Sequence, residues 1–271
     1  MKVTSPGLKS YVAFFDCHFG YEQRITPSGR RTKRATHCLP AINAAMKFVK
    51  DFQPDYFILG GDQVDLGAIS FHNHGKPRQV EDMRITDDYD ALDKHLLRDL
   101  DALDVENKIW ITGNHENRVW RYLDANPASE GLIEPDSYLR LTARGWHIQP
   151  EEVPYKIGKV HFVHGHACFP RGGCKDPAAK LANFYRRNVR CGHLHTFASA
   201  TDITPSDRRD FHSAIVCPAM CRVNPGYNNN ASDNFQQGFL YGYVTASGDY
   251  NDFVVIIHGG RFIVNGKEYK A

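Results

Sequence analysis

Ile109-Trp110-Ile111-Thr112-Gly113-Asn114-His115-Glu116 passes from an apolar run rich in β-formers to a glycine, an amide, an imidazole and a carboxylate. Such a run reads as a buried strand, and the polar cluster behind it as the loop at the strand's end. The same grammar recurs at four other places. Tyr11–Phe15 runs into Asp16-Cys17-His18, and Tyr56–Leu59 into Gly60-Gly61-Asp62. Val160–Val163 runs into His164-Gly165-His166, and Val189–Cys191 into Gly192-His193-Leu194-His195. Helical patterns lie between these strands. Leu39, Ile42, Met46 and Val49 share one face of a helix over about Leu39–Phe52, whose first turn tolerates Pro40. A second helix is predicted from an N-cap at Thr86, with Asp87 and Asp88 at its positive end and the stripe Tyr89, Leu92, Leu96, Leu100 and Leu103. A third opens at Asp176-Pro177 and runs to about Arg187. After Phe211 the pattern is mostly strands: Ser213–Cys217, Phe239–Thr245, Phe253–Ile257 and Arg261–Val264. Two packed sheets with helices outside would bury all these elements, so α/β layering is expected.

The chain has 271 residues, 42% apolar and 24% charged, enough for a sizeable core and unlike a disordered tail or a miniature disulfide scaffold. No repeat or linker divides it, so residues 1–271 are expected to form one domain, with Asn224–Gln237 as its longest loop. No apolar stretch approaches the roughly 18 residues of a membrane span, and no secretory h-region opens the sequence. Seven cysteines without a CxxC pair read as reduced thiols, and a cytoplasmic protein is expected.

Five strand ends supply metal-competent side chains: Asp16 and His18; Asp62; Asn114; His164; and His193 with His195. Ligands two apart lie on one side of an extended backbone, so DxH and HxH pairs can each reach one ion. Mixed imidazole and carboxylate donors favour Mn, Fe, Zn, Co or Ni over Ca or Mg.

At these residues the sequence resembles the calcineurin-like metallophosphoesterases, whose pattern runs DxH, GDxxD, GNH with D or E, a His before Gly, and GHxH. All five blocks stand in order here, from Asp16 to His195, with Gly61-Asp62-Gln63-Val64-Asp65 as the second. The resemblance implies a four-layer α/β/β/α sandwich holding two divalent transition-metal ions, Mn foremost. Asp16, His18 and His195 would bind one ion, Asn114, His164 and His193 the other, and Asp62 would bridge them. Two such cations can lower the pKa of a shared water and yield a hydroxide that attacks phosphorus. His115 resembles the family's general acid, and Asp65 the residue that orients it; a plain turn role for Asp65 stays open. Asp16 to Asp62 and Asp62 to Asn114 are longer gaps than the family's usual ones, which points to insertions near Tyr21–Arg34 and Ala68–Ile85.

The motifs suit mono- and diesterases alike. A full GHxH, and no Arg after Asp65, places the chain nearer the phosphodiesterase and nuclease branches than the protein phosphatases. Arg118, His166 and Arg171 are candidate substrate contacts. Net charge is +2, but it is polarised. Glu81–Glu106 holds ten acidic residues against three basic ones, whereas Arg171–Arg190 holds six basic residues against Asp176 alone. With Arg24–Arg34, the second segment would form a positive approach for nucleic acid or a nucleotide, the acidic helix facing away. Tyr21, Phe169, Phe184 and Tyr185 could stack on bases there or simply be core. A phosphomonoesterase, and a metal-binding scaffold without turnover, are the alternative readings. Oligomeric state cannot be read from these residues.

Overall fold

The computed structural model describes residues 6–26, 28–73, 75–203, 211–224 and 234–271. Its strands are β1 (Lys9–Phe14), β2 (Tyr21–Ile25), β3 (Arg31–Ala35), β4 (Tyr56–Gly60), β5 (Asn107–Ile111), β6 (Trp146–Gln149), β7 (Tyr155–Ile157) and β8 (Val160–Val163). They continue as β9 (Asn188–Cys191), β10 (Ala198–Ile203), β11 (Phe211–Val216), β12 (Gln237–Val244), β13 (Tyr250–Ile257), β14 (Arg261–Val264) and β15 (Lys267–Lys270). The helices are α1 (Leu39–Phe52), α2 (Pro77–Val80), α3 (Ile85–Leu92), α4 (Arg98–Asp101), α5 (Asn117–Ala125), α6 (Pro135–Leu139) and α7 (Pro177–Tyr185).

One sheet has the order β13-β12-β1-β4-β5-β6 and the other β10-β11-β9-β8-β7. Alternating side chains show how they stack. Tyr11, Ala13 and Phe15 pack with Ile58, Ile109 and Ile111 against Ile157, Val160 and Phe162 of the second sheet. Val12, Phe14, Leu59 and Trp110 point the other way, onto Ile42, Met46 and Val49 of α1 and onto Tyr89 and Leu92 of α3. The outer face of the second sheet packs Val163, Val189 and Ala214 on Leu181 and Ala182 of α7. This is the α/β/β/α sandwich. Strands buried on both faces explain why these runs are continuously apolar.

β1, β4 and β5 are parallel, as are β8 and β9, so Phe14 lies beside Leu59, Gly60 beside Ile111, and Val163 beside Cys191. Their carboxyl ends share one edge, and the five polar clusters follow those ends. Ligand sites in open α/β sheets form at such an edge.

Four sequence expectations need correction. The second helix starts at Ile85, with extended Arg84 as its N-cap, so Thr86 lies inside it, and it passes through a π-helical turn at Asp93–Leu97 before α4. α7 ends at Tyr185 because Arg186 turns left-handed (φ 48°). β15 was not foreseen; with β14 it forms a hairpin whose Phe262 and Tyr269 stack on each other and meet Phe48 of α1 edge-on. The acidic segment does not face away from the basic run. Arg24–Arg34 folds into the β2–β3 hairpin, where Arg31 pairs with Glu81 (2.5 Å) and Lys33 with Asp87 (2.8 Å). Opposite charges far apart in the sequence are brought together by the fold. Most of the expected Asn224–Gln237 loop, 225–233, lies outside the described residues.

Candidate metal centre

The seven expected ligands converge. His18 Nε2 lies 3.1 Å from His195 Nε2, and Asp16 Oδ1 lies 3.4 Å from the latter. On the other side His164 Nε2 is 2.9 Å from Asn114 Oδ1, and one ligand atom each of Asp62, His164 and His193 lie within 4.8 Å of one another. Between the groups stands Asp62, whose Oδ2 is 3.8 Å from His18 Nε2 and 3.3 Å from His164 Nε2.

Three of the four histidines rest one ring nitrogen on a partner outside the site and leave the other facing in. His193 Nε2–H donates to the Phe169 carbonyl (3.0 Å), and His164 Nδ1–H to the Gly60 carbonyl (3.3 Å). His195 Nδ1 meets Cys221 Sγ (3.7 Å), and His18 Nδ1 faces Asp65 Oδ1 (3.5 Å). Outer partners of this kind fix tautomer and ring orientation in metal-ligating histidines. Three further features fit cations. Asp16 Oδ1 is buried without a hydrogen-bond partner among the described residues. Asp16, His18, Asp62, His193 and His195 make up half of the ten non-glycine residues at positive φ among the described residues, a concentration of backbone strain that marks functional loops. A Cβ on Gly113 would stand 2.3 Å from Asp62 Oδ1, and one on Gly192 equally close to Asp16 Oδ2, so the motif glycines leave room for carboxylates.

Burial pushes the His164 imidazole down, but the Asp62 carboxylate beside it, with Asp16 and Glu151, reverses this and raises it to about 10. The charge that His164 thus retains is one a bound cation would replace. His193 goes the other way, to about 4, through burial and then the His164 charge.

His115 is held by its Nδ1–H on the Asp65 carbonyl oxygen (2.8 Å); the Asp65 carboxylate stands 3.5 Å from the Nδ1 atoms of both His115 and His18. The orienting contact expected of Asp65 is therefore made chiefly by its main chain. Arg118 donates to that same carbonyl (2.6 Å) and to His115 Nε2 (2.8 Å), which must carry a lone pair because a guanidinium has only donors. Burial, then Arg118, lowers His115 to about 3 against the pull of Asp62. His166 is half-buried, its ring 5.0 Å from that of His193. Arg171 is exposed on the loop before α7 and joins none of these groups.

The basic approach is not built as expected. Arg190 is buried and bonds Asp252 (Nε to Oδ2 2.8 Å) and the Ser213 carbonyl (2.8 Å), while Phe169 is core. Phe184 is exposed, but on the far end of α7.

Two residues went unforeseen. Glu116 is buried, and its carboxylate accepts from the backbone N–H groups of Asp62 (3.0 Å), Gln63 (2.7 Å), Val64 (3.3 Å) and Gly113 (2.8 Å), tying two motif loops together. Burial and Asp62 raise it to about 7. Its place in the GNHE block was visible, although its four partners were not. Cys221, close to His18 and His195, carries no motif that could have revealed it.

The calcineurin-like phosphoesterase family pattern matches residues 16–207. No curated protein sequence matches the chain. Among solved structures, a dimetal phosphatase from Danio rerio is 12% identical, with 92% of this chain and 95% of that chain covered and a TM-score of 0.42. The nuclease MPE of Pseudomonas putida is 14% identical, covering 88% and 84%, at a TM-score of 0.34. A 5'-nucleotidase precursor from Thermus thermophilus is 12% identical, covering 92% of this chain and 54% of that one, at 0.39.

Proposed function

The chain belongs to the calcineurin-like phosphoesterase family, and from that premise we propose that it is a binuclear metal-dependent phosphodiesterase. The reading rests on Asp62, one carboxylate within reach of histidines from both ligand groups. Asp16, His18 and His195 would hold one ion and Asn114, His164 and His193 the other, with Asp62 available to both. The donor set suits Mn or a neighbouring transition ion. Two cations there supply activation of water for attack on phosphorus and neutralisation of phosphoryl oxygens. His115 Nε2, which carries a lone pair in this structure, would first take up a proton from solvent and then pass it to the leaving oxygen. For this Arg118 must let go of Nε2, and a phosphoryl oxygen is the stronger acceptor for its guanidinium. Asp65 keeps the ring aimed inward through its carbonyl, and Glu116 keeps the Asp62 and Asn114 loops in register.

We read the whole chain as one such domain, because β12 and β13 complete the sheet that β1 begins. No helix among the described residues is long and apolar enough to cross a membrane, and seven unpaired cysteines suit a reducing cytoplasm. A monoesterase has one observation in its favour, since Arg118 could meet the second charge of a monoester dianion.

Metal analysis combined with Mn-dependent hydrolysis of bis-p-nitrophenyl phosphate and p-nitrophenyl phosphate tests the proposal. Turnover of the diester is expected. Turnover of the monoester alone would make the protein a phosphatase, and bound metal with neither activity would make it a scaffold.

A further inference from the structure

Strand pairing sorts the basic run Arg24–Arg34 onto two faces. In the β2–β3 hairpin Glu22 lies opposite Arg34, Gln23 opposite Lys33, Arg24 opposite Thr32 and Ile25 opposite Arg31. Residues two apart on a strand, and residues directly opposite, share a face. Arg31 and Lys33 therefore take one face, where Glu81 and Asp87 answer them. Arg24 and Arg34 take the other, and both meet the same carboxylate oxygen of Glu22, at 3.0 and 3.4 Å. A third guanidinium lies at the end of β3, where Arg222 Nε donates to the Ala35 carbonyl (3.1 Å). Burial, then the Arg222 and Arg24 charges, push the Arg34 guanidinium below its ordinary value against the pull of Glu22. Among the described residues no other carboxylate forms an ion pair with these three arginines. Like charges gathered in excess of their counter-charge make a receptor for an anion.

The cluster is fastened to the metal centre. The Arg222 N–H donates to the Thr36 carbonyl (3.0 Å), and Thr36 Oγ1 donates to the His18 carbonyl (2.6 Å). Cys221, just before Arg222, donates its N–H to the Asp16 carbonyl (2.9 Å) and rests its thiol on His195 Nδ1 (3.7 Å). Asp16, His18 and His195 are thus all tied to the segment that carries the surplus charge. A small diester would end at the ions, whereas guanidinium groups suit further phosphates. We infer that the Arg24–Arg34 face of the hairpin, with Arg222, holds phosphates that flank the scissile one, so that the substrate is a single strand of nucleic acid. The inference rests on the phosphodiesterase reading and adds the substrate class to it. Phosphate contacts carry no base identity, so little sequence preference follows.

Anisotropy of a fluorescein-labelled oligothymidylate with a phosphorothioate backbone, which resists hydrolysis, reads binding to the Mn-loaded protein. Affinity should fall with salt along a log–log slope of about −2 or steeper, because each contact to a single strand contributes about −0.7. Arg24→Gln should flatten that slope by about 0.7, and Arg24→Gln combined with Arg222→Gln by about 1.4. Arg31→Gln and Lys33→Gln, on the other face, should leave it nearly as it was. Arg24 bonds no main-chain atom among the described residues, so its variant reads the site even where loss of Arg222 prevents folding. An unchanged slope in the Arg24 variant, or as great a flattening by the Arg31 and Lys33 changes, would overturn the strand assignment; hydrolysis of bis-p-nitrophenyl phosphate by the same protein would leave the diesterase standing. Cleavage of p-nitrophenyl phosphate alone would overturn both.

Discussion

Asp62 Oδ2 lies 3.8 Å from His18 Nε2, whose loop follows the first sheet, and 3.3 Å from His164 Nε2, whose loop follows the second. In the proposed binuclear centre a carboxylate so placed serves both ions. Asp62→Ala should therefore lower metal content from about two ions per chain to fewer than one, measured by elemental analysis of the purified protein. A variant that kept one full equivalent would show that the two groups of ligands bind independently. His115 sits next to Asn114, a proposed ligand, but turns its Nδ1–H to the Asp65 carbonyl, so its loss should spare the ions. His115→Ala should keep its metal and lose about 100-fold or more in rate on alkyl esters, and much less on p-nitrophenyl esters, whose leaving group needs no proton. Equal losses on both would remove it as the acid. At this scale the sequence spoke through residue type and order, and the convergence of Asp16 through His195 followed. It was silent on which atom of Asp65 does the orienting, because carbonyl and carboxylate belong to one letter.

Elements were legible where a single face is buried and less so where charge or partners decide. α1 runs over Leu39–Phe52 as its stripe and Pro40 require, closed by left-handed Gln53 (φ 51°). The start of α3 was misplaced because Thr86 is a good cap by type, yet backbone geometry puts the cap at Arg84 without any side-chain bond. The basic segment before Arg190 was read as one charged surface, but β9 alternates, and Arg190 falls on the face that packs against the other sheet. There it holds Asp252 of β13, which also accepts from Tyr11 of β1, and Ser213 of β11. Four strands from two sheets thus meet on one ion pair. Arg190→Ala would leave the Asp252 carboxylate buried and unpaired, and should cost about 3–5 kcal/mol in urea unfolding. A double change to Arg190→Met and Asp252→Leu should recover most of that loss. If Arg190→Ala unfolds like the wild type, the pair contributes nothing to joining the sheets.

Over the whole molecule, the segregated basic and acidic segments pair across elements, as the β2–β3 hairpin does with Glu81 and Asp87, which no window of sequence displays. That hairpin also buries a group whose titration should govern acid stability. His37 follows β3, stacks on Phe19 (4.8 Å) and accepts from the Gly20 N–H (3.3 Å). Burial, with His95 and Arg222 nearby, lowers it from 6.5 to about 4. In the unfolded chain the imidazole takes up its proton near the ordinary value, whereas the folded protein refuses it for a further two units or so. The unfolded state therefore binds more protons across that window. Stability is lost as pH falls from about 6.5, by up to about 3 kcal/mol, and the loss levels off below about 4, where both states are protonated. His37→Gln removes the titration while keeping an acceptor for Gly20. The other titratable groups are common to both proteins, so the difference between them isolates His37. The advantage of wild type over variant in chemical unfolding should shrink steadily between pH 7 and pH 4.5, and a difference that stays constant over that range would mean that His37 is protonated in the folded protein as readily as out of it.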